Sequence, residues 1–201
     1  MSKKGVFIAV EGSDGTGKTT FIANLEKELI EYGFSVLITK EPSCGKIGEL
    51  IINNNWKKIV LAYLIAADRL DHLEKIIIPN IVKGVIVISD RYVGSSYVYQ
   101  VLDAVPVDIV SMLNRNMLRP DVNFILRANE EIVIQRLKER KVLSYMEKKF
   151  TVSELLKAYD NAGKLLEKEY GNVVWFDNNT EEDMKKNLKN AICAINGLMV
   201  M

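Results

Sequence analysis

Residues Gly5 to Thr20 read G-V-F-I-A-V-E-G-S-D-G-T-G-K-T-T. The first half is a short apolar run with β-branched residues, the composition of a strand covered on both faces. The second half, Gly12 to Thr19, fits G-x-x-x-x-G-K-[ST]. A strand that ends here must turn sharply with backbone N–H groups pointing inward. Gly12, Gly15 and Gly17 allow positive φ and let an anion approach the backbone closely. A helix that starts next turns the positive end of its dipole toward that anion. Lys18 adds a full charge, and the Thr19 hydroxyl is placed to ligate Mg²⁺. The loop Gly12, Ser13, Asp14, Gly15, Thr16, Gly17, Lys18, Thr19 and Thr20 is therefore a candidate cradle for the phosphates of a nucleotide.

The flanks fit that reading. Phe21 to Tyr32 carries Phe21, Ile22, Leu25, Leu29 and Ile30 at helical spacing. The 201 residues suit one domain, 1–201, and a hydrophobic fraction of 48% suits a sizeable core. Charge is balanced, 27 basic residues against 26 acidic, which argues against a nucleic-acid partner. Two cysteines, Cys44 and Cys193, without a C-x-x-C pair, suit a reducing compartment. The N-terminus lacks a signal-peptide pattern. Ile76 to Ile88 is apolar, but Pro79, Lys83 and Gly84 interrupt it well short of membrane-spanning length. A soluble, cytoplasmic protein is expected, with no membrane partner.

Strand and helix signals then alternate. Gly33 is a helix C-cap candidate, followed by a strand at 34–39 and the loop K-E-P-S-C-G-K, Lys40 to Lys46. Ile47 to Asn55 is weakly helical. Trp56 to Ile78 reads as a helix with Ile59, Val60, Tyr63, Leu64 and Ala67 inward, and Pro79 as a kink or an early position of the next turn. Val85 to Ser89 is a β-branched strand ending in Asp90-Arg91-Tyr92. Helices are expected at 93–101, 106–117, from Asn129 as cap, from the capping box Thr151-x-x-Glu154, and from Thr180 with Asp183. The helix after Thr151 has Val152, Leu155, Leu156, Tyr159, Ala162 and Leu166 on one side. Further strands are expected at 122–126 and 172–176. This alternation implies parallel strands joined by right-handed crossovers, with ligands at the strand carboxyl ends. Glu11, Lys40, Glu41, Asp90, Arg91 and the residues from Asp177 lie there.

A phosphate-binding loop alone does not separate a switch GTPase, an ATPase and a kinase. The chain has no N-K-x-D element for guanine and no second D-x-x-G switch directly after the first crossover. Asp90 ends an apolar strand, an arrangement that suits a magnesium site, and Arg91 beside it offers a planar fork for a second phosphate group. A cation there suits a phosphate acceptor rather than water.

These residues resemble the thymidylate kinase family along nearly the whole chain. The resemblance rests on V-E-G-S-D-G-T-G-K-T-T (Val10 to Thr20), T-K-E-P (Thr39 to Pro42), A-A-D-R (Ala66 to Arg69), D-R-Y (Asp90 to Tyr92), S-S-Y-V-Y-Q (Ser95 to Gln100), R-P-D (Arg119 to Asp121) and R-L-K-E-R (Arg136 to Arg140). It implies an α/β, three-layer P-loop kinase fold: a five-stranded parallel sheet, helices on both faces and a short lid near 140–150. It implies transfer of the ATP γ-phosphate to dTMP, with Mg²⁺ held at Thr19 and Asp90, and a homodimer, joined through the apolar helix faces around 59–78 and 107–117. By the same resemblance Asp14 would bond the acceptor's 3′-hydroxyl and Arg91 its phosphate. Arg69, Ser96, Ile65, Glu41 and Pro42 would surround the base, and Tyr99 would fill the space under C2′. Arg136 and Arg140 would cover ATP, and Lys18, Asp14, Arg91 and Arg140 would be the catalytic set.

Two positions differ from the family pattern. The lid K-V-L-S-Y-M-E-K-K-F, Lys141 to Phe150, contains no arginine, so Arg140, Lys141, Lys148 or Lys149 would have to serve. Ile65 stands where the family often has an aromatic that stacks on thymine. Two other readings stay open on the residues alone: a kinase for another nucleotide or nucleoside, and a nucleotide-binding regulatory protein with a weakened site. His72, the only histidine, reads as a packed side chain, because an anionic acceptor needs no strong base.

Overall fold

The computed structural model of the chain describes residues 5–139 and 149–200. Five parallel strands form one sheet in the order β2-β3-β1-β4-β5. They are β1 (Phe7–Glu11), β2 (Val36–Lys40), β3 (Ile86–Asp90), β4 (Val122–Arg127) and β5 (Val173–Asp177). The helices are α1 (Lys18–Glu31), α2 (Lys46–Ile52), α3 (Lys58–His72), α4 (Ile78–Val82), α5 (Val93–Leu102), α6 (Val107–Asn114), α7 (Glu130–Lys138), α8 (Val152–Tyr170) and α9 (Glu181–Val200).

The strands are apolar on both faces because both faces are covered. Along β1, Phe7 and Ala9 join a core with Ala62 and Ala66 of α3, Val98 of α5, Val110 of α6 and Leu166 of α8. Ile8 and Val10 point the other way, into a core with Phe21, Leu25 and Leu29 of α1 and Leu188, Ala191 and Ile195 of α9. A single residue of register slip would exchange these two sets. The chain leaves β1 toward β2 on one side and later crosses to β4 on the other. The reversal of direction therefore falls at the carboxyl end of β1, where a ligand crevice opens in such sheets. Pairing of Val10 with Asp90 brings the acid that ends β3 next to the loop that leaves β1.

Several local expectations are corrected. Helix α1 begins at Lys18, three residues before the apolar periodicity, because Gly17 at φ 92° sets the turn that starts it. Ile30, expected inward, is exposed. The segment 56–78 is not one helix: α3 ends at His72, residues Leu73–Ile77 form a wider π turn, and α4 follows. Pro79 sits at the start of α4, where its missing N–H does not interrupt the helix. The inward face of α3 is Ala62, Ala66, Asp68, Arg69 and His72, whereas Ile59, Val60 and Tyr63 are 41%, 43% and 53% exposed, and Ala67 is exposed too. Asn129 stands at the N-cap of α7 without a side-chain cap bond; its own N–H is accepted by Asn179 Oδ1 at 2.7 Å. The box at Thr151 and Glu154 forms in both directions.

Candidate active site

The loop from Gly12 to Gly17 folds over the carboxyl end of β1. Gly12, Gly15 and Gly17 all take positive φ, and a Cβ at Gly17 would lie 2.4 Å from Asn178 Nδ2. Asn178, just past β5, donates to Thr16 O at 2.7 Å and so holds the loop from the side. Ser13 O accepts from Thr16 Oγ1 at 2.8 Å and from Lys18 Nζ at 3.1 Å. The ammonium is thereby parked over the loop, 3.7 Å from Asp14. Burial, and then the nearby Arg91 cation, lower the Lys18 pKa from the ordinary lysine value to about 8. A cleft of about 230 Å³ opens here, lined by Asp14, Gly15, Gly17, Lys18, Thr19, Thr20, Asp90 and Arg91.

Opposite Lys18 stands Arg91. Its backbone is at φ 73°, a region that is costly for a residue with a Cβ, and is held there by donation from Arg91 N to Val10 O at 3.0 Å and from Ser89 Oγ to Arg91 O at 2.7 Å. That twist turns the side chain back over the sheet. The guanidinium donates to Asp14 Oδ1 at 2.6 Å, to the Tyr159 hydroxyl, and at 3.4 Å to Gly12 O and to Ser95 Oγ. It lies over the Tyr99 ring, 5.2 Å from its centroid. Tyr159 in turn donates to Tyr99 Oη at 3.1 Å. Beneath them Glu11 accepts from Tyr92 N, Ser95 N and Ser95 Oγ at 2.8, 3.1 and 2.7 Å, tying the first turn of α5 to the end of β1. Burial pushes the Glu11 carboxyl up from its ordinary value, and the Ser95 bond, Arg91 and the backbone donors oppose that rise.

A second wall is built from α3 and the 41–45 loop. Arg69, 1% exposed, uses all five of its N–H groups. Nε and one Nη2 hydrogen go to Glu41 Oε2 at 2.8 and 2.6 Å, and the other Nη2 hydrogen to Tyr92 O at 3.0 Å. Nη1 gives one hydrogen to Ser96 Oγ at 3.0 Å and one to Asn114 Oδ1. Ser96, expected at the base edge, is thus occupied by Arg69 in this state. Pro42 follows a cis Glu41–Pro42 bond, and Ile65 is half-buried one turn before Arg69 on α3.

On the far side of the phosphate loop a cavity of about 820 Å³ is lined by Gly15, Gly17, Arg136, Thr180, Met184 and Leu188 among others. Arg136 donates to Gly15 O at 3.2 Å, Asn178 O at 3.0 Å and Asn179 O at 3.2 Å, bracing the loop against the β5–α9 turn. Arg140, Lys141 and Lys148 lie outside the described residues. Lys149 pairs with Asp103. Among the described residues no group of three or more His, Cys, Asp or Glu is arranged to hold a metal ion by itself. Asp90 Oδ1 is buried without a hydrogen-bond partner beside the exposed Thr19, an oxygen-only donor pair that suits a hard divalent cation sharing a phosphate ligand.

Several participants escape a reading of the sequence. Tyr159 looks like one more member of an apolar helix face, and Asn114 carries no motif of its own. Tyr159 carries one usable sign, a hydroxyl on a face of aliphatic residues just past the lid. Chemically, the site sets two cations, Lys18 and Arg91, on either side of a phosphate-sized cleft, with a larger cavity lined by mixed, mostly polar residues at one end and the buried polar wall of Arg69 at the other.

Comparison with known proteins adds to this geometry. The family model described as thymidylate kinase matches residues 10–189. Thymidylate kinase of Caldicellulosiruptor saccharolyticus is 39% identical over 145 residues, covering 67% of this chain and 70% of the relative. Thymidylate kinase of Mycoplasma genitalium is 38% identical over 149 residues, covering 68% and 70%.

Proposed function

The chain belongs to the thymidylate kinase family, and from that premise we propose how its cleft moves the γ-phosphate of ATP to dTMP, giving dTDP and ADP. One observation carries the reading: Arg91, held by Asp14 and Tyr159, faces the Lys18 cradle across a cleft of about 230 Å³. Two phosphate groups brought between those cations stand in line for transfer.

ATP lies with its base in the cavity beside Arg136 and its phosphates on the loop Gly12 to Thr20. The N–H groups of the loop and the start of α1 take the β-phosphate, and Lys18 reaches the γ-phosphate. Thr19 and Asp90 would hold Mg²⁺, which neutralises phosphate charge when bound with ATP. The dTMP phosphate replaces Arg91's looser contacts at 3.4 Å and keeps the guanidinium fixed by Asp14. Asp14 also accepts the sugar 3′-hydroxyl, and the Tyr99 ring closes the space under C2′. The base meets Ile65, Pro42, Ser96 and Arg69, the last braced by Glu41. An acceptor phosphate oxygen, already anionic, attacks the γ-phosphorus, and the bond to the β,γ-bridging oxygen breaks; no proton needs to be removed. Lys18 and Arg91 offset charge that spreads over the transferring group. With radiolabelled γ-phosphate, label passes into dTDP faster than into inorganic phosphate; label in inorganic phosphate alone would refute the transfer reading.

The low Lys18 pKa has a direct consequence. In the free protein the ammonium loses its proton as pH rises through about 8, and the phosphates of ATP restore it. ATP binding at pH 9 is therefore expected to take up roughly one proton, and at pH 7 close to none. Calorimetry in two buffers of different ionisation enthalpy reads this number. No uptake at pH 9 would mean that Lys18 is charged throughout.

We extend the proposal to a homodimer through neighbouring helices α3 and α6. Ile59, Val60 and Tyr63 on α3 and Val107 and Met112 on α6 are exposed, an apolar grouping that a second copy would cover. Sedimentation is expected to give twice the chain mass, and Tyr63→Glu to give a single chain mass. A monomeric parent protein would refute it. Among the described residues no helix is long and apolar enough to cross a membrane, and both cysteines are free and exposed, which fits a reducing cytoplasmic setting.

A further inference from the structure

Helix α3 turns three buried polar side chains onto the 41–45 loop: Asp68, Arg69 and His72. Asp68 fixes Ser43, accepting its N–H at 2.7 Å and its hydroxyl at 2.6 Å. Arg69 fixes one oxygen of Glu41, Oε2, with two of its N–H groups. The other oxygen, Oε1, is buried without a hydrogen-bond partner. His72 Nδ1 is likewise buried and unpartnered, and these two atoms face each other at 3.6 Å.

Glu41 Oε1 can only accept, so the ring nitrogen facing it carries the hydrogen. Thr39 Oγ1 lies 2.6 Å from Nε2. With the hydrogen of the neutral ring on Nδ1, facing Oε1, Nε2 is left to accept from the Thr39 hydroxyl. The Nδ1–Oε1 gap exceeds a hydrogen bond by about half an ångström, as bonds around an active site often do before substrate binds.

Arg69 has its own rearrangement to make when a base binds. All five Arg69 N–H groups are taken, so a base carbonyl reaches this guanidinium only by displacing one partner. Nη1 holds the two side-chain partners, Ser96 and Asn114, that a base carbonyl can replace. Glu41, on Nε and Nη2, is then the partner that holds the guanidinium during the exchange.

We propose that His72 is a positioning residue for the acceptor base: its Nδ1–H anchors Glu41 Oε1, and through Glu41 it sets the guanidinium of Arg69 while that group exchanges Ser96 or Asn114 for the base. This rests on the reading of the Arg69 wall as the acceptor site. His72 touches neither substrate and transfers no proton.

The test separates the two ring nitrogens. An asparagine amide places its nitrogen where Nδ1 was; a glutamine amide reaches the place of Nε2. Steady-state kinetics of the full chain, with dTMP and ATP varied in turn, are expected to show the KM for dTMP raised about tenfold in His72→Gln, with the KM for ATP and kcat within about twofold. His72→Asn is expected to keep the dTMP KM within about twofold of the parent. Thr39→Val, which removes the hydrogen bond that holds the Nε2 edge of the ring, is expected to raise the dTMP KM about threefold. Equal dTMP KM values in the Gln and Asn variants, or a rise shared equally with ATP, would overturn the proposal. If His72→Gln does not fold, an unchanged dTMP KM in Thr39→Val overturns it as well. A parent protein that phosphorylates a different acceptor would refute the assignment of dTMP and not this proposal, which the same three variants then decide on that acceptor's KM.

Discussion

Lys18→Met is expected to lower kcat for dTMP phosphorylation by about a thousandfold while the protein stays folded. The ammonium is buried, held by Ser13 O at 3.1 Å and near Asp14, and it is aimed at the cleft rather than at solvent. Methionine keeps the apolar stem and removes the ammonium, with its charge and its donors. Charge on the transferring group grows in the transition state, so a preorganised donor aimed at it acts mainly on kcat, with typical losses of about 10²–10³ when one is removed. Because a neutral side chain is easier to bury than an ammonium, the variant should be no less stable in thermal unfolding. A variant with a raised KM for ATP and an unchanged kcat would show that Lys18 binds ground state and transition state alike, contrary to the account.

The second large effect is expected on the acceptor side. Arg91→Lys keeps the charge, yet is expected to lower kcat/KM for dTMP about a hundredfold with the KM for ATP little changed. The guanidinium reaches Asp14, Tyr159, Ser95 and Gly12 from one plane while stacking on Tyr99. A lysine supplies three donors on a flexible stem and cannot hold that plane. Misplacing an acceptor by about 1 Å is enough for a loss of this size. Equal losses for ATP and dTMP would instead place Arg91 on the donor phosphates.

Much of this architecture is legible in the chain. Gly5 to Thr20 announces strand, loop and helix because each part obeys a separate local rule, and Asp90 and Arg91 stand out because a β-branched run ends on them. The acceptor wall is less legible. On α3, apolar periodicity selects Ile59, Val60 and Tyr63, yet the buried face carries Asp68, Arg69 and His72. A sequence pattern assumes that apolar residues go inward. Here the partners that make burial of charge tolerable, Glu41, Ser43, Ser96 and Asn114, come from three other segments, so no window of the chain contains the explanation. Tyr159 is hidden for a similar reason, since its ring packs as the pattern expects and only its hydroxyl enters the site. The start of α1 and the unused cap at Asn129 depend on contacts with the residues from Asn178 onward, which meet the phosphate loop only after the sheet has assembled.

The most direct test of the whole account is ADP release in a coupled assay with MgATP and a panel of monophosphate acceptors: dTMP, dUMP, UMP, dCMP, dGMP and AMP. The account predicts the fastest release with dTMP and little with UMP, whose 2′-hydroxyl meets Tyr99. The margin over dUMP should be modest, because one methyl group against Ile65 is worth about 1–3 kcal/mol at most. A panel with no acceptor above background, while ATP and dTMP still bind by calorimetry, would contradict it and leave a nucleotide-binding protein that does not transfer phosphate.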